Sequence, residues 1–106
     1  MRHFTPTKLN AYLQNNLHPP LLLDVREPWE FQICRIEGSQ LLPMRQIPLS
    51  LSTLDSEQEI VLICHHGIRS RQVGLFLEGM GFTDVINLSG GVAAWSQEVD
   101  KTMPTY

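Results

Sequence analysis

The chain has 106 residues, 42% of them hydrophobic, and a formal net charge of −3, so one compact domain fits and a second has no room. Its eight Lys and Arg residues are scattered, which excludes the basic face that nucleic-acid binding needs. No run of about 18 apolar residues exists to span a membrane, and Met1-Arg2-His3-Phe4-Thr5-Pro6 lacks the apolar stretch of a secretory signal; a cytoplasmic location and a monomer are the expectations.

In chain order, Thr5-Pro6 suits an N-cap followed by proline in the first turn, and Leu9, Tyr12 and Leu13 then share one helical face. Leu21-Leu22-Leu23-Asp24-Val25 is a continuous apolar run of strand length after Pro19-Pro20. Glu27 to Ile33 suits a short helix with Pro28 in its first turn, and Ser39 to Pro43 is a weaker strand candidate. Residues 44–59, with Pro48 and many Ser and Thr, read as a loop with at most one helical turn. Ile60-Val61-Leu62-Ile63-Cys64 is the second strong apolar run, and Asp84-Val85-Ile86-Asn87-Leu88 the third. Between these two, Val73, Phe76, Leu77 and Met80 recur at i, i+3, i+4 and i+7, an amphipathic stripe ended by Gly79 and Gly81. Gly90-Gly91 precedes a last helix with Val92, Trp95 and Val99 on one side. Continuous rather than alternating apolarity marks strands covered on both faces. The fold class is therefore α/β, with helices on both faces of the sheet.

Chemistry concentrates in Cys64-His65-His66-Gly67-Ile68-Arg69-Ser70, between a buried strand and an amphipathic helix. Ligands of open parallel sheets bind at the carboxyl ends of strands. There the cysteine sulfur faces the free N–H groups and dipole of a helix N-terminus, and Arg69 adds a positive charge. Both favour the thiolate, the nucleophilic form. Gly67 permits a tight turn. His65 and His66 are assigned to the pocket mouth. As three consecutive residues, Cys64, His65 and His66 are a poor tetrahedral set, and no metal is expected. Cys34 and Cys64 are too few for a disulfide scaffold. They read as a reactive thiol, Cys64, and a bystander, Cys34, with a resolving-thiol role for Cys34 as the sharper alternative. Trp29 and Trp95 are expected in the core. Asp24 ends an apolar run where an unpaired carboxylate is costly, whereas Arg26, Glu27 and Glu30 also suit a solvated face.

The strand-Cys-loop-Arg-helix arrangement resembles the active-site loop of the rhodanese sulfurtransferases. Asp24-Val25-Arg26-Glu27 resembles that family's D-V-R-E, Arg35-Ile36-Glu37-Gly38-Ser39 its H-I-P-G-A, and Leu88-Ser89-Gly90-Gly91 to Trp95 its L-x-G-G-x-x-x-W ending. The stretches stand in the family's order from about Thr5 to Val99. The resemblance implies a five-stranded parallel sheet with the Met1-Phe4 region as its edge strand. It also implies ping-pong transfer of sulfane sulfur through a Cys64 persulfide, cradled by the N–H groups of residues 65–69, with no cofactor. Its partners would be a small anionic donor such as thiosulfate and a thiol acceptor, small molecule or protein, or cyanide. By the family's pattern Asp24 braces the loop and Arg26 pairs with Glu30, both in supporting roles. Cys34, Arg35 and Glu37 replace the family's usual Gly, His and Pro. The alternatives are a cysteine-loop phosphatase or arsenate reductase, and a non-catalytic interaction domain of the same fold. Against the phosphatase, the spacing here is Cys-x4-Arg rather than Cys-x5-Arg, a tighter bowl that suits one sulfur atom.

Overall fold

A computed structural model describes residues 1–106. Five parallel strands, β1 (Arg2–Phe4), β2 (Leu21–Asp24), β3 (Gln40–Leu41), β4 (Ile60–Ile63) and β5 (Val85–Leu88), form one sheet in the order β1-β5-β4-β2-β3. The helices are α1 (Pro6–Gln14), α2 (Pro28–Ile33), α3 (Ile68–Gly79) and α4 (Gly91–Glu98). No helix is long and apolar enough to cross a membrane.

Strand periodicity divides the core. On β4, Val61 and Ile63 face α1 and α4 with Leu9, Val92 and Trp95, while Ile60 and Leu62 face α3 with Val73 and Leu77. Cys64 continues this alternation onto the α3 side, because successive strand residues point to opposite faces. The sheet's pleat thus aims the sulfur at α3 before any loop interaction acts.

The expected elements are found with three differences. Residues 44–59 hold two 3₁₀ segments, Met44–Gln46 and Pro48–Thr53, anchored by the fully buried Ile47. The inward stripe of α3 is Ser70, Val73, Gly74 and Leu77, whereas Met80 is the C-cap and lies exposed. Here the helix has already ended, so the i+7 repeat no longer selects a face. Trp95 is buried as expected, but Trp29 is 59% exposed. On the short α2 the inward position goes to Glu30, and a neighbour about 100° around the helix then points away.

The turn into α4 is set by backbone contact. Gly91 has φ +59°, and a Cβ there would lie 2.3 Å from the Cys64 carbonyl oxygen. This close approach lets the Val92 and Ala93 N–H groups donate to the Cys64 and His65 carbonyls at 2.9 and 3.0 Å. Gly91→Ala is therefore expected to lower unfolding free energy by about 2 kcal/mol or more. Gly79→Ala, at a helical site with open space around it, should be neutral or stabilising by up to about 1 kcal/mol. Urea denaturation of both variants checks the pair, and equal effects would contradict the contact argument.

Candidate active site

Three chain segments meet at the carboxyl ends of the central strands: the exit of β2, the loop after β4 and the turn after β5. Cys64 is 1% exposed. Its Sγ accepts the Gly67 N–H at 3.0 Å and the Ser70 N–H at 3.4 Å, and it contacts Ser70 Oγ at 3.2 Å. Gly67 makes this possible with φ +92°; a Cβ there would meet the Gly90 nitrogen at 2.9 Å. Because α4 holds the Cys64 and His65 carbonyls outward, the loop is free to turn amide hydrogens toward the sulfur. Of the expected cradle over residues 65–69, the sulfur is met by Gly67, joined by Ser70 just beyond that span.

Ser70 is fully buried, and its Oγ–H donates to Asn87 Oδ1 at 2.5 Å. With that hydrogen committed to an amide oxygen, a neutral Cys64 donates its S–H to Ser70 Oγ. Once the sulfur is ionised, the hydroxyl can rotate and donate to it instead. Asn87 is the one polar residue of β5 and faces α3. A polar side chain inside an apolar strand was the available sequence signal for it.

The supporting residues Asp24, Arg26 and Glu30 are gathered, but not paired as expected. Arg26 is fully buried and its carboxylate partner is Asp24, also fully buried, with Nε–Oδ1 2.9 Å and Nη2–Oδ2 2.7 Å. It touches Glu30 only at the main-chain carbonyl, 3.4 Å from Nη1. Glu30 instead takes Arg69 in a two-pronged pair, Nη1–Oε2 and Nη2–Oε1 both at 2.8 Å. The family's pattern implies an Arg26–Glu30 pair, but Arg26 lies before α2 (Pro28–Ile33) rather than on it. Its guanidinium folds back onto the end of β2. Of the three residues suited to a solvated face, Arg26 and Glu30 are buried, and only Glu27 stays partly exposed, paired with Arg45.

Ionisation follows these partners. The Arg69 hydrogen bonds hold the Glu30 carboxyl down at about 2, against the opposing effect of burial, with help from the Glu27 N–H and the Tyr106 hydroxyl. Burial disfavours charge on Arg26, but the hydrogen bonds it donates to Asp24 and Tyr106 outweigh it and raise its pKa. Burial, followed by the neighbouring His66, presses His65 below its ordinary value, so at neutral pH this imidazole is uncharged. The positive charge expected at Arg69 is balanced by Glu30.

Tyr106, which the sequence reading passed over, completes the cluster. Its hydroxyl accepts from Arg26 Nη1 at 2.9 Å and donates to Glu30 Oε1 at 2.9 Å. Its ring stacks on His65 with centroids 3.9 Å apart and 12° between planes, and it meets the edge of Trp29 at 5.7 Å. A pocket of about 240 Å3 lies alongside, with Cys34, His65, His66 and Tyr106 in its wall. Both cysteines are free thiols. Cys34 presents its carbonyl to Arg26 Nη2 at 2.6 Å and its sulfur to Nη1 at 3.7 Å. Ile68 opens α3 and is 68% exposed.

A family model for the rhodanese-like domain matches residues 5–98. The chloroplastic rhodanese-like/PpiC domain-containing protein 12 of Arabidopsis thaliana is 40% identical over 89 residues, which is 80% of this chain but 30% of that protein. A protein of Allochromatium vinosum named sulfurtransferase is 36% identical over 77 residues, covering 73% of this chain and 72% of the relative. Among solved structures, a rhodanese-like domain protein from Staphylococcus aureus superposes with a TM-score of 0.84 at 31% identity, covering 93% of this chain and 95% of that one.

The depressed Glu30 carboxyl makes a pH prediction. Its pKa falls from 4.5 to about 2 on folding, so its contribution to stability is complete above about pH 4.5 and lost as pH falls toward 2. Glu30→Gln removes that titration. The stability gap between wild type and Glu30→Gln, from urea denaturation, should be widest above pH 5 and narrow steadily by pH 2.5. A gap independent of pH would refute the ionised pair.

Proposed function

The chain belongs to the rhodanese-like domain family, and from that premise we propose that it is a sulfurtransferase that carries sulfur as a persulfide on Cys64. The observation that carries this reading is the convergence of the Gly67 and Ser70 N–H groups on the Cys64 sulfur at the start of α3. Amide dipoles at a helix N-terminus stabilise a sulfur anion both as thiolate and as persulfide. The sulfurtransferase name of the Allochromatium relative supports the same class.

In the first half-reaction the Cys64 thiolate attacks the outer sulfur of thiosulfate. A new S–S bond forms, the bond from that sulfur to the sulfonate sulfur breaks, and sulfite leaves with the electron pair. In the second, an acceptor thiolate or cyanide attacks the outer persulfide sulfur, and Cys64 departs as the thiolate. No net oxidation occurs and no cofactor is required. Since Cys64 is buried, the outer sulfur, about 2 Å beyond Sγ, is the atom the acceptor meets. Arg69 is assigned the donor. Glu30 engages two of its five N–H donors and the side chain is 35% exposed, so it retains hydrogen-bonding capacity toward an oxyanion although its charge is balanced. Asp24, Arg26 and Glu30 hold this arrangement from behind, and His65 and His66 flank it.

Incubation with thiosulfate should add the mass of one sulfur atom, located on Cys64 by peptide mass spectrometry and discharged by cyanide. Cys64→Ala should fold normally and lose transfer entirely, while Cys34→Ser should stay near wild type. Arg69→Ala should raise the Michaelis constant for thiosulfate roughly tenfold, the worth of one charge-assisted hydrogen bond. Turnover by a folded Cys64→Ala protein would refute the reading.

A further inference from the structure

Tyr106 is the one polar side chain at the site that touches both ion pairs and the loop at once. Its hydroxyl joins Arg26 Nη1 to Glu30 Oε1, and the same Glu30 oxygen accepts Arg69 Nη2. Its ring lies flat on His65, the residue next to the nucleophile. Anchoring the tail does not require this reach, because Met103 is already buried in the core beside α1 and α4. We propose that Tyr106 is a positioning residue for sulfur transfer: by bridging Arg26 and Glu30 it keeps the Glu30 carboxylate on Arg69, and so aims the Arg69 guanidinium at an incoming anionic donor.

The physical argument concerns what happens without the hydroxyl. Arg26 Nη1 then loses its closest oxygen acceptor, and Glu30 Oε1 loses a donor, both in places sealed from water. Buried polar groups do not stay unpaired when a partner is within reach. Glu30 is that partner, because its carboxylate shares the hydroxyl with Arg26. A turn of the carboxylate toward Arg26 satisfies both groups and weakens one prong of the Arg69 pair. Arg69, already partly exposed, then exchanges a fixed orientation for a solvated one. The nucleophile itself is untouched, since its hydrogen bonds come from Gly67 and Ser70. The effect is therefore specific to negatively charged reagents. Burial, with Glu30 adding to it, keeps the phenol protonated by raising its pKa to about 12, so the bridge is intact at neutral pH.

This inference rests on the sulfur-transfer reading for its substrate, so the test includes a readout independent of sulfur transfer. Cys64 is alkylated with neutral iodoacetamide and with anionic iodoacetate, and the rates are read at Cys64 by peptide mass. Wild type is compared with Tyr106→Phe, which keeps the stacked ring and loses the hydroxyl, and with Tyr106→Leu, which loses both. In Tyr106→Phe the iodoacetate-to-iodoacetamide rate ratio should fall roughly threefold or more, as expected when a charged donor at a cleft is misdirected. The Michaelis constant for thiosulfate should rise by a similar factor with kcat largely retained. Tyr106→Leu should show the same ratio change with a lower melting temperature; should it fail to fold, the phenylalanine variant carries the test alone. A folded Tyr106→Phe protein with wild-type ratio and Michaelis constant overturns the proposal, whatever its melting temperature. If wild type takes no sulfur from thiosulfate and the ratio still falls, the positioning role stands and the sulfur-transfer reading fails.

Discussion

A guanidinium completely removed from water is the constraint around which this end of the molecule is arranged. Removing charge from water costs several kcal/mol per ion unless a partner and further hydrogen bonds compensate. Arg26 meets that demand with acceptors from three separate parts of the chain. Asp24 supplies the opposite charge from the end of β2, Cys34 supplies a carbonyl from the exit of α2, and Tyr106 supplies a hydroxyl from the tail. No buried side-chain nitrogen or oxygen is left without a partner. Each acceptor fixes the segment that carries it, and Arg26 thus works as a staple between β2, α2 and the C-terminal tail.

The surroundings of the Cys64 sulfur are built from dipoles more than from net charge. Asp24 balances Arg26, Glu30 balances Arg69, and the nearest imidazole is uncharged. What remains directed at the sulfur is a pair of amide N–H groups and one hydroxyl able to reverse its role. The glycines of the turn into α4 serve that end indirectly. By allowing α4 to approach within contact of the loop, they take up carbonyls that would otherwise compete for the sulfur's surroundings. Such preorganised dipoles need little rearrangement as charge moves onto or off the sulfur.

Much of this was readable from the chain alone, for identifiable reasons. The strands announced themselves as short apolar runs, and β4 carried its own side-chain alternation straight into Cys64. The placement of Cys64 between a strand and a helix followed from residue types and spacing local to one junction. What could not be read were relations between distant residues. The family's pattern pairs Arg26 with Glu30 and says nothing of the partners each finds elsewhere in the chain. Only the three-dimensional course of the chain brings Arg69 across to Glu30 and folds Arg26 back to Asp24. Tyr106 lies 80 positions from Arg26, and nothing near it in sequence marks it as part of the site. Trp29 was misplaced because aromatic size outweighed helix phase in assigning it to the core, whereas α2 gives its one inward position to Glu30.

The reach of the tail has a consequence for biosynthesis. A chain emerging from the ribosome presents β2, the Cys64 loop and α3 well before α4 and Tyr106 follow. Until then the Cys64 and His65 carbonyls lack the α4 amides, and Arg26 lacks its phenolic acceptor. The thiol therefore passes through a stage in which its strand is made but its surroundings are not. Contacts between residues this far apart in sequence close late in folding. Completion of the backbone around Cys64 is thereby tied to synthesis of α4, and closure of the Arg26 cluster to the later arrival of Tyr106.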